Sequence, residues 1–251
     1  MVRDLAVDSD TNLWGTWRHI GSRTKLVDED DDLLITETGA AIPTFNPVFV
    51  KRIPDDAEAL VRRAIDRTAP VVITANPALD GLERLLAAAD ATGLVGRERL
   101  PGMVMALDGP VPGPPAALEI READSGDEWD AYFDVLCEGF EVPHDVVAPM
   151  IDPSVYDSPD MAALLGFVDG QPVTTSLASV VDDTAGVYNV ATVPSHRRRG
   201  YGAVMTWAAA AWGRARGCAV AVLQASAMGQ PLYEEMGFVE IVPYVQLIAP
   251  A

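Results

Sequence analysis

The sequence predicts a mixed α/β fold, a mostly antiparallel sheet flanked by helices and built from two similar halves. Three observations predict it. A proline- and glycine-rich stretch, DGPVPGPPAAL (108–118), divides the chain as a linker would. After it, hydrophobic periodicity alternates as β-α-β-β-β-α-β-α-β. Before it, a weaker version of the same order ends in the same way: LAAADATGLVGRERLPGMVMAL and PLYEEMGFVEIVPYVQLIA each read as a helix, then glycine with a hydrophobe, then a strand. The halves are drawn at 1–112 and 116–251.

In the first half, DLLITETG and TFNPVFV read as strands and 55–68 as a helix. PVVITANP is a strand, 80–92 a helix ending at Gly93-Leu94, and LPGMVMAL the last strand. In the second half ALEIREA (117–123) is a short strand, and 127–140 a helix with Trp129, Phe133, Leu136 and Phe140 at helical spacing. MAALLGFVDGQPVTTSLASVV is a hairpin turning at Asp169-Gly170. A turn at Asp182-Asp183 leads to the strand GVYNVATV, ended by Pro194. Val204, Trp207, Ala208, Ala211 and Trp212 then form one apolar helix face, closed by Arg214, Arg216 and Gly217. CAVAVLQAS is a buried strand, GQPLYEEMG a short helix, and FVEIVPYVQLIA one or two final strands.

Composition narrows the function. The 251 residues carry 37 acidic and 18 basic side chains, a formal net charge of −19, which argues against nucleic acid as a partner. The acidity hints at a cationic partner. No apolar run suits a membrane span, and MVRDLAVDSD lacks a signal-peptide core, so a cytoplasmic location is expected. Cys137 and Cys218 read as reduced core residues. No metal is expected: His19, His144 and His196 do not cluster. Asp28, Asp30 and Asp32 imitate the start of a calcium loop, but Leu33 and Gly39 occupy its glycine and glutamate positions, so DEDDD reads as a solvated turn.

Against this acidity, NVATVPSHRRRGYGAVM (189–205) sets three arginines before two glycines, between a strand and a helix. Helix N-termini offer unpaired N–H groups and partial positive charge, and glycines let a ligand approach the backbone. Arg197, Arg198 and Arg199 add charge at the same place, so the segment reads as an anion site. Neither GxxxxGK[ST] nor GxGxxG is present. The pattern that fits is RxxGxG: Arg197, Gly200 and Gly202, followed by Ala203.

With the strand before it, the helix and buried strand after it, and LYEEMGF beyond, residues 117–249 resemble the GCN5-related N-acetyltransferase (GNAT) family. The resemblance implies acetyl-CoA as co-substrate, lying where strands 186–193 and 218–225 splay apart. Its pantetheine would pair with the backbone of Ala191, Thr192 and Val193. Its pyrophosphate would meet the amides of Arg198, Arg199, Gly200, Tyr201, Gly202 and Ala203. It also implies direct attack of a small-molecule or peptide amine on the thioester, with Tyr233 as the acid for the departing thiolate. Glu138, Glu141 and His144 border the implied acceptor side, and Asn189 and Ser226 are candidates to hold a water there; each also has an ordinary surface or strand-end reading. In the first half RIPDDAEAL replaces the basic loop and Ala89 stands where Tyr233 would, so that half is expected to keep the scaffold without the site. Two rivals stay open: a non-catalytic acyl-CoA sensor and an enzyme for longer acyl chains. A monomer or a homodimer is expected.

Overall fold

The computed structural model describes residues 3–94, 96–109 and 118–248. The interior of the expected linker, 110–117, lies outside them. The first half runs α1 (Leu5–Arg23), β1 (Leu26–Glu29), β2 (Leu33–Glu37), β3 (Pro47–Val50), α2 (Ala57–Ile65), β4 (Val72–Ala75), α3 (Leu82–Ala91) and β5 (Gly96–Ala106). The second runs β6 (Glu119–Glu122), α4 (Gly126–Phe140), α5 (His144–Val147), β7 (Met161–Val168), β8 (Gln171–Val181), β9 (Thr184–Thr192), α6 (Tyr201–Arg214), β10 (Val220–Gln224), α7 (Gln230–Glu235) and β11 (Val239–Ile248). FVEIVPYVQLIA is thus one strand, with an irregularity between Glu240 and Val242 that accommodates Pro243.

All eleven strands join one sheet in the order β1-β2-β3-β4-β11-β5-β10-β9-β8-β7-β6. Apart from β6, that order is a palindrome of the two halves: β1 matches β7, β2 matches β8, β3 matches β9 and β4 matches β10. The two last strands are exchanged at the centre. β11 pairs with β4 of the first half, β5 pairs with β10 of the second, and the two pair with each other. The halves therefore share a sheet.

The inner strands are largely buried on both faces, while the edge strands β1 and β6 are not. α2 and α3 pack over Leu33, Ile35, Val48, Ile73 and Leu247, and α6 packs over Leu165, Val173, Leu223 and Met103. On the opposite face α4 sets Tyr132 and Phe133 against Ala163 and Leu177, and α1 sets Leu13 against Phe49 and Tyr244.

α1 has no counterpart in the sequence reading. Its buried face is Ser9, Asn12, Leu13, Thr16, Ile20 and Gly21, largely polar or small, so no apolar stripe announces it. Hydrogen bonds add to the contacts of Leu13 and Ile20. Asn12 Nδ2 donates to the Ser179 and Thr184 carbonyls (3.2 and 2.9 Å), and the Thr16 and Ser179 hydroxyls bond at 2.8 Å.

The face of α6 turned to the sheet also differs from expectation. Tyr201, Met205, Ala209, Ala210 and Gly213 are buried there, while Trp207 and Trp212 lie half-exposed at the flank. The helix sits too close for tryptophan: a Cβ on Gly213 would stand 2.3 Å from Ala185 Cβ. Trp212 is instead covered by the Arg216 guanidinium, 3.2 Å from its ring centroid.

DEDDD is a tied turn. Asp30 Oδ1 accepts the N–H groups of Asp32 and Leu33, and Arg63 and Arg52 pair with Asp30 and Asp32. Cys137 and Cys218 are free and buried. Among the described residues no helix is long and apolar enough to cross a membrane, and no three His, Cys, Asp or Glu side chains gather as a metal site.

Candidate active site

The site begins where β9 leaves its neighbours. β9 and β10 pair in parallel only over Thr184–Gly186 and Val220–Val222; beyond these three steps they diverge. On its other side β9 bulges. Thr175 faces Ala191 and Leu177 faces Tyr188, so Asn189 and Val190 together oppose Ser176, which leaves one backbone unit out of the ladder. Asn189 takes the left-handed conformation (φ 50°), which asparagine tolerates. Its carbonyl accepts the Thr175 hydroxyl at 2.9 Å and its amide nitrogen donates to the Tyr132 hydroxyl at 3.3 Å, so α4 holds the bulge in place.

Two clefts open from this splay. The larger, about 610 Å³, runs along Val190, Ala191 and Thr192 to the loop 196–203 and back along α7. At its far end Arg198 (φ 60°) and Gly200 (φ 82°) are both left-handed, a backbone curl of the kind that turns N–H groups toward an anion. Gly200 is the N-cap of α6 and has no side chain to close it, so the first-turn N–H groups are left for a ligand. Gly202 has no unusual φ. A Cβ there would stand at ordinary contact distance, 3.6 Å from Leu232 and 3.9 Å from Val190, so a side chain is not excluded by the protein but would take up space in the cleft.

Of the residues singled out in the sequence, Ala191, Thr192, Arg197, Arg198, Gly200, Tyr201, Gly202, Ala203 and Tyr233 line this one cleft; Val193 and Arg199 do not. The Val193 N–H already donates to the Val173 carbonyl (3.0 Å), and its carbonyl accepts from His196 (2.9 Å). Strand alternation turns Thr192, between Ala191 and Val193, to the open edge. Arg199 reaches back to the Ser195 carbonyl. Arg197 lines the wall but its guanidinium is committed: Nη1 to Glu141 Oε1 (2.9 Å), Nη2 to the Gly139 carbonyl (2.7 Å) and Nε to the Thr192 carbonyl (3.2 Å). It ties the loop to the end of α4. Arg198 is left as the arginine of the triplet that lines the cleft without such ties.

The second cleft, about 280 Å³, lies between the halves. Leu13, Trp17, Phe49 and Leu100 come from the first half, and Val187, Asn189, Gln224 and Ser226 from the second. The two clefts share Phe140, Val190, Ser226 and Tyr233. Tyr233 therefore stands at their junction. Its ring packs edge-on to Phe238, with centroids 5.9 Å apart, and against Gly229, where a Cβ would come within 3.0 Å. Burial raises its phenol above the ordinary value, with the Thr206 hydroxyl pulling the other way. The phenol is thus protonated at neutral pH.

Glu138, Glu141 and His144 line no part of the second cleft; His144 faces Asp134 at 3.3 Å on the surface. Asn189 and Ser226 do line it. Phe140, Gln224 and Met228 were not anticipated as cleft residues. A mid-strand asparagine was the available sign of the bulge, but nothing in the sequence marks Gln224.

The acetyltransferase (GNAT) family model matches residues 129–238. No curated protein sequence matches the chain. Among solved structures, a GCN5-related N-acetyltransferase from Kribbella flavida superposes with a TM-score of 0.67 over 98% of this chain and 95% of that one, at 21% identity. One from Sphaerobacter thermophilus gives 0.62 over 90% and 84%, at 18% identity. A putative GNAT acetyltransferase from Novosphingobium aromaticivorans gives 0.58 over 97% and 99%, also at 18%. These likenesses span both halves and establish a shared fold. The splayed strand, glycine loop and helix lie within residues 129–238, the segment that matches the acetyltransferase (GNAT) family model.

Proposed function

We propose that the protein is an acetyl-CoA-dependent N-acetyltransferase with one active site per chain. The observation that carries the reading is the junction: one cleft ends in an uncapped helix N-terminus, the other lies between the halves, and Tyr233 stands where they meet.

The residues of the larger cleft fit acetyl-CoA, a long, thin molecule with a doubly charged pyrophosphate. The open edge of β9 at Thr192 offers its N–H to an extended amide chain, the Thr192 carbonyl being held by Arg197 Nε. The amides from Arg198 to Ala203, the α6 N-terminus and the Arg198 charge suit the phosphates. Acetyl-CoA supplies the thioester that the amine attacks, and CoA departs as a thiolate. Val190, at the bulge, borders both clefts and fixes where the acyl group lies. Tyr233 then donates to the departing sulfur. Its raised phenol is a weaker acid than a thiol of about 8.5, so Tyr233 stabilises the departing thiolate by a hydrogen bond and the CoA thiolate takes any final proton from solvent. No carboxylate or imidazole lines the second cleft among the described residues, so the amine gives its proton to water held near Asn189 and Ser226.

The first half is read as a degenerate copy, for two reasons. β3 and β4 pair along their whole length, Pro47–Val50 with Val72–Ala75, so the strands matching β9 and β10 do not splay. The N-terminus of α2, matching that of α6, is capped by its own carboxylate, with Asp56 Oδ1 accepting the Ala59 N–H at 2.9 Å. An anion finds that place filled.

Release of free CoA thiol from acetyl-CoA, with and without a panel of primary amines, tests the reading. Amine-dependent release is expected. Tight acetyl-CoA binding with no amine-dependent release would favour the sensor instead.

A further inference from the structure

The wall of the cleft between the halves is electrically neutral. Among the described residues it carries no Asp, Glu, Lys, Arg or His, in a chain whose net charge is −19. Most of the wall is hydrocarbon and aromatic, with Trp17, Phe49, Phe140, Tyr188 and Tyr233 the largest members. At about 280 Å³ it stands near the lower end of small-molecule sites, which run from about 300 to 1,000 Å³.

One solvent-closed polar atom of these wall residues lacks a partner. Gln246 Nε2 donates to the Thr74 hydroxyl at 3.4 Å, but Gln224 Nε2 is buried without a hydrogen bond. The reason lies in the sheet. Gln224 is the last residue of β10, and its cross-strand neighbour on β5 is Gly102, which has no side chain to offer. Gly102 in turn has no room for one, because a Cβ would stand 2.6 Å from the Tyr244 ring. A buried amide left without a partner costs about 1–3 kcal/mol, so Gln224, which lines the cleft, gains by turning its amide toward a ligand atom there.

Resting on the acetyl-transfer reading, we propose that the acceptor is a compact monoamine. Its body is aryl or alkyl, it bears one hydrogen-bond-accepting oxygen, and Gln224 donates to that oxygen. The acidic surface draws the ammonium form to the mouth of the cleft. Inside, apolar walls desolvate the nitrogen and lower its pKa, which favours the neutral form that attacks. A polyamine or lysine-rich tail would have to leave further charges without counter-ions in the same space. The bulk acidity is therefore not the measure of the acceptor.

The test uses the full chain and three probe amines: 2-phenylethylamine, its para-hydroxylated analogue and spermidine. For the wild type, the hydroxylated amine is expected to have the highest kcat/KM, with spermidine lower by about 10²-fold. Gln224→Leu should lower kcat/KM for the hydroxylated amine by about tenfold more than for the parent amine, and leave the acetyl-CoA KM unchanged. Equal losses for both aryl amines, or a preference for spermidine, would overturn the proposal. So would binding of acetyl-CoA in a calorimeter with none of the aryl amines acetylated, an outcome that leaves the acetyl-CoA reading standing. Failure of acetyl-CoA to bind at all would remove both.

Discussion

At the scale of single residues, the Tyr233 hydroxyl can be removed without disturbing either cleft, because Phe238 and Gly229 hold the ring by contact alone. Tyr233→Phe should leave acetyl-CoA affinity nearly unchanged and lower kcat and kcat/KM alike by about 10²-fold, the mark of an interaction made in the transition state. Steady-state kinetics with a calorimetric dissociation constant check this; a large rise in that constant with turnover preserved would make Tyr233 a binding residue. The raised phenol also fixes a sign: the acid form persists above its ordinary range, so no falling limb owed to Tyr233 is expected below about pH 10. The loop was legible because glycines and arginines in that order are conspicuous in an acidic chain. The separate duties of its arginines were not. Arg197 turns aside because Gly139 and Glu141 come beside it in space, and that proximity is made by α4, far away in sequence. Gln224 was hidden for a similar reason, since its importance rests on a missing partner across the sheet.

At the scale of elements, Glu29 shows how the first half is clamped. It accepts from Arg18 on α1 (2.7 Å) and from Lys51 beyond β3 (2.9 Å), joining three segments. The Arg18 hydrogen bond, with Lys51 assisting against burial, holds its carboxyl down at about 2. A depressed carboxyl adds stability that is present above its unfolded pKa, near 4.5, and is lost as pH falls toward 2. Glu29→Gln should therefore lower stability at pH 7 by no more than about 1 kcal/mol, because Arg18 is well exposed, and the difference from wild type should vanish near pH 2. Urea midpoints measured across that range check it; a constant difference would place the effect elsewhere. Elements with apolar stripes, such as α2 and α4, could be read from the sequence. α1 could not, because Asn12 and Thr16 do by hydrogen bonding what leucine does in an ordinary helix.

At the scale of the whole molecule, the exchange of β5 and β11 makes the two halves interdependent. The repeat was legible from the matching ends of the halves. The exchange was not, because Gly96–Ala106 and Val239–Ile248 are both apolar enough to sit in either place, and nothing in their composition selects a partner. Residues 116–251 alone would leave β10 without β5, and β11 without either of its neighbours, exposing unpaired strand edges. That fragment is expected to aggregate, and co-expression with 1–112 to return a soluble one-to-one complex, as read by size-exclusion chromatography. A fragment 116–251 that is monomeric and shows native near-ultraviolet dichroism would contradict this.

The proposal of one active site per chain is tested most directly by calorimetric titration of acetyl-CoA into the intact protein and into Gly202→Val. The valine side chain would enter the cleft between Leu232 and Val190, where acetyl-CoA is proposed to meet the backbone, and Gly202 has no special dihedral whose loss could explain the result. The expected result is one acetyl-CoA per chain for the wild type and none for a folded Gly202→Val. Two per chain, or unchanged affinity in the folded variant, would contradict the account.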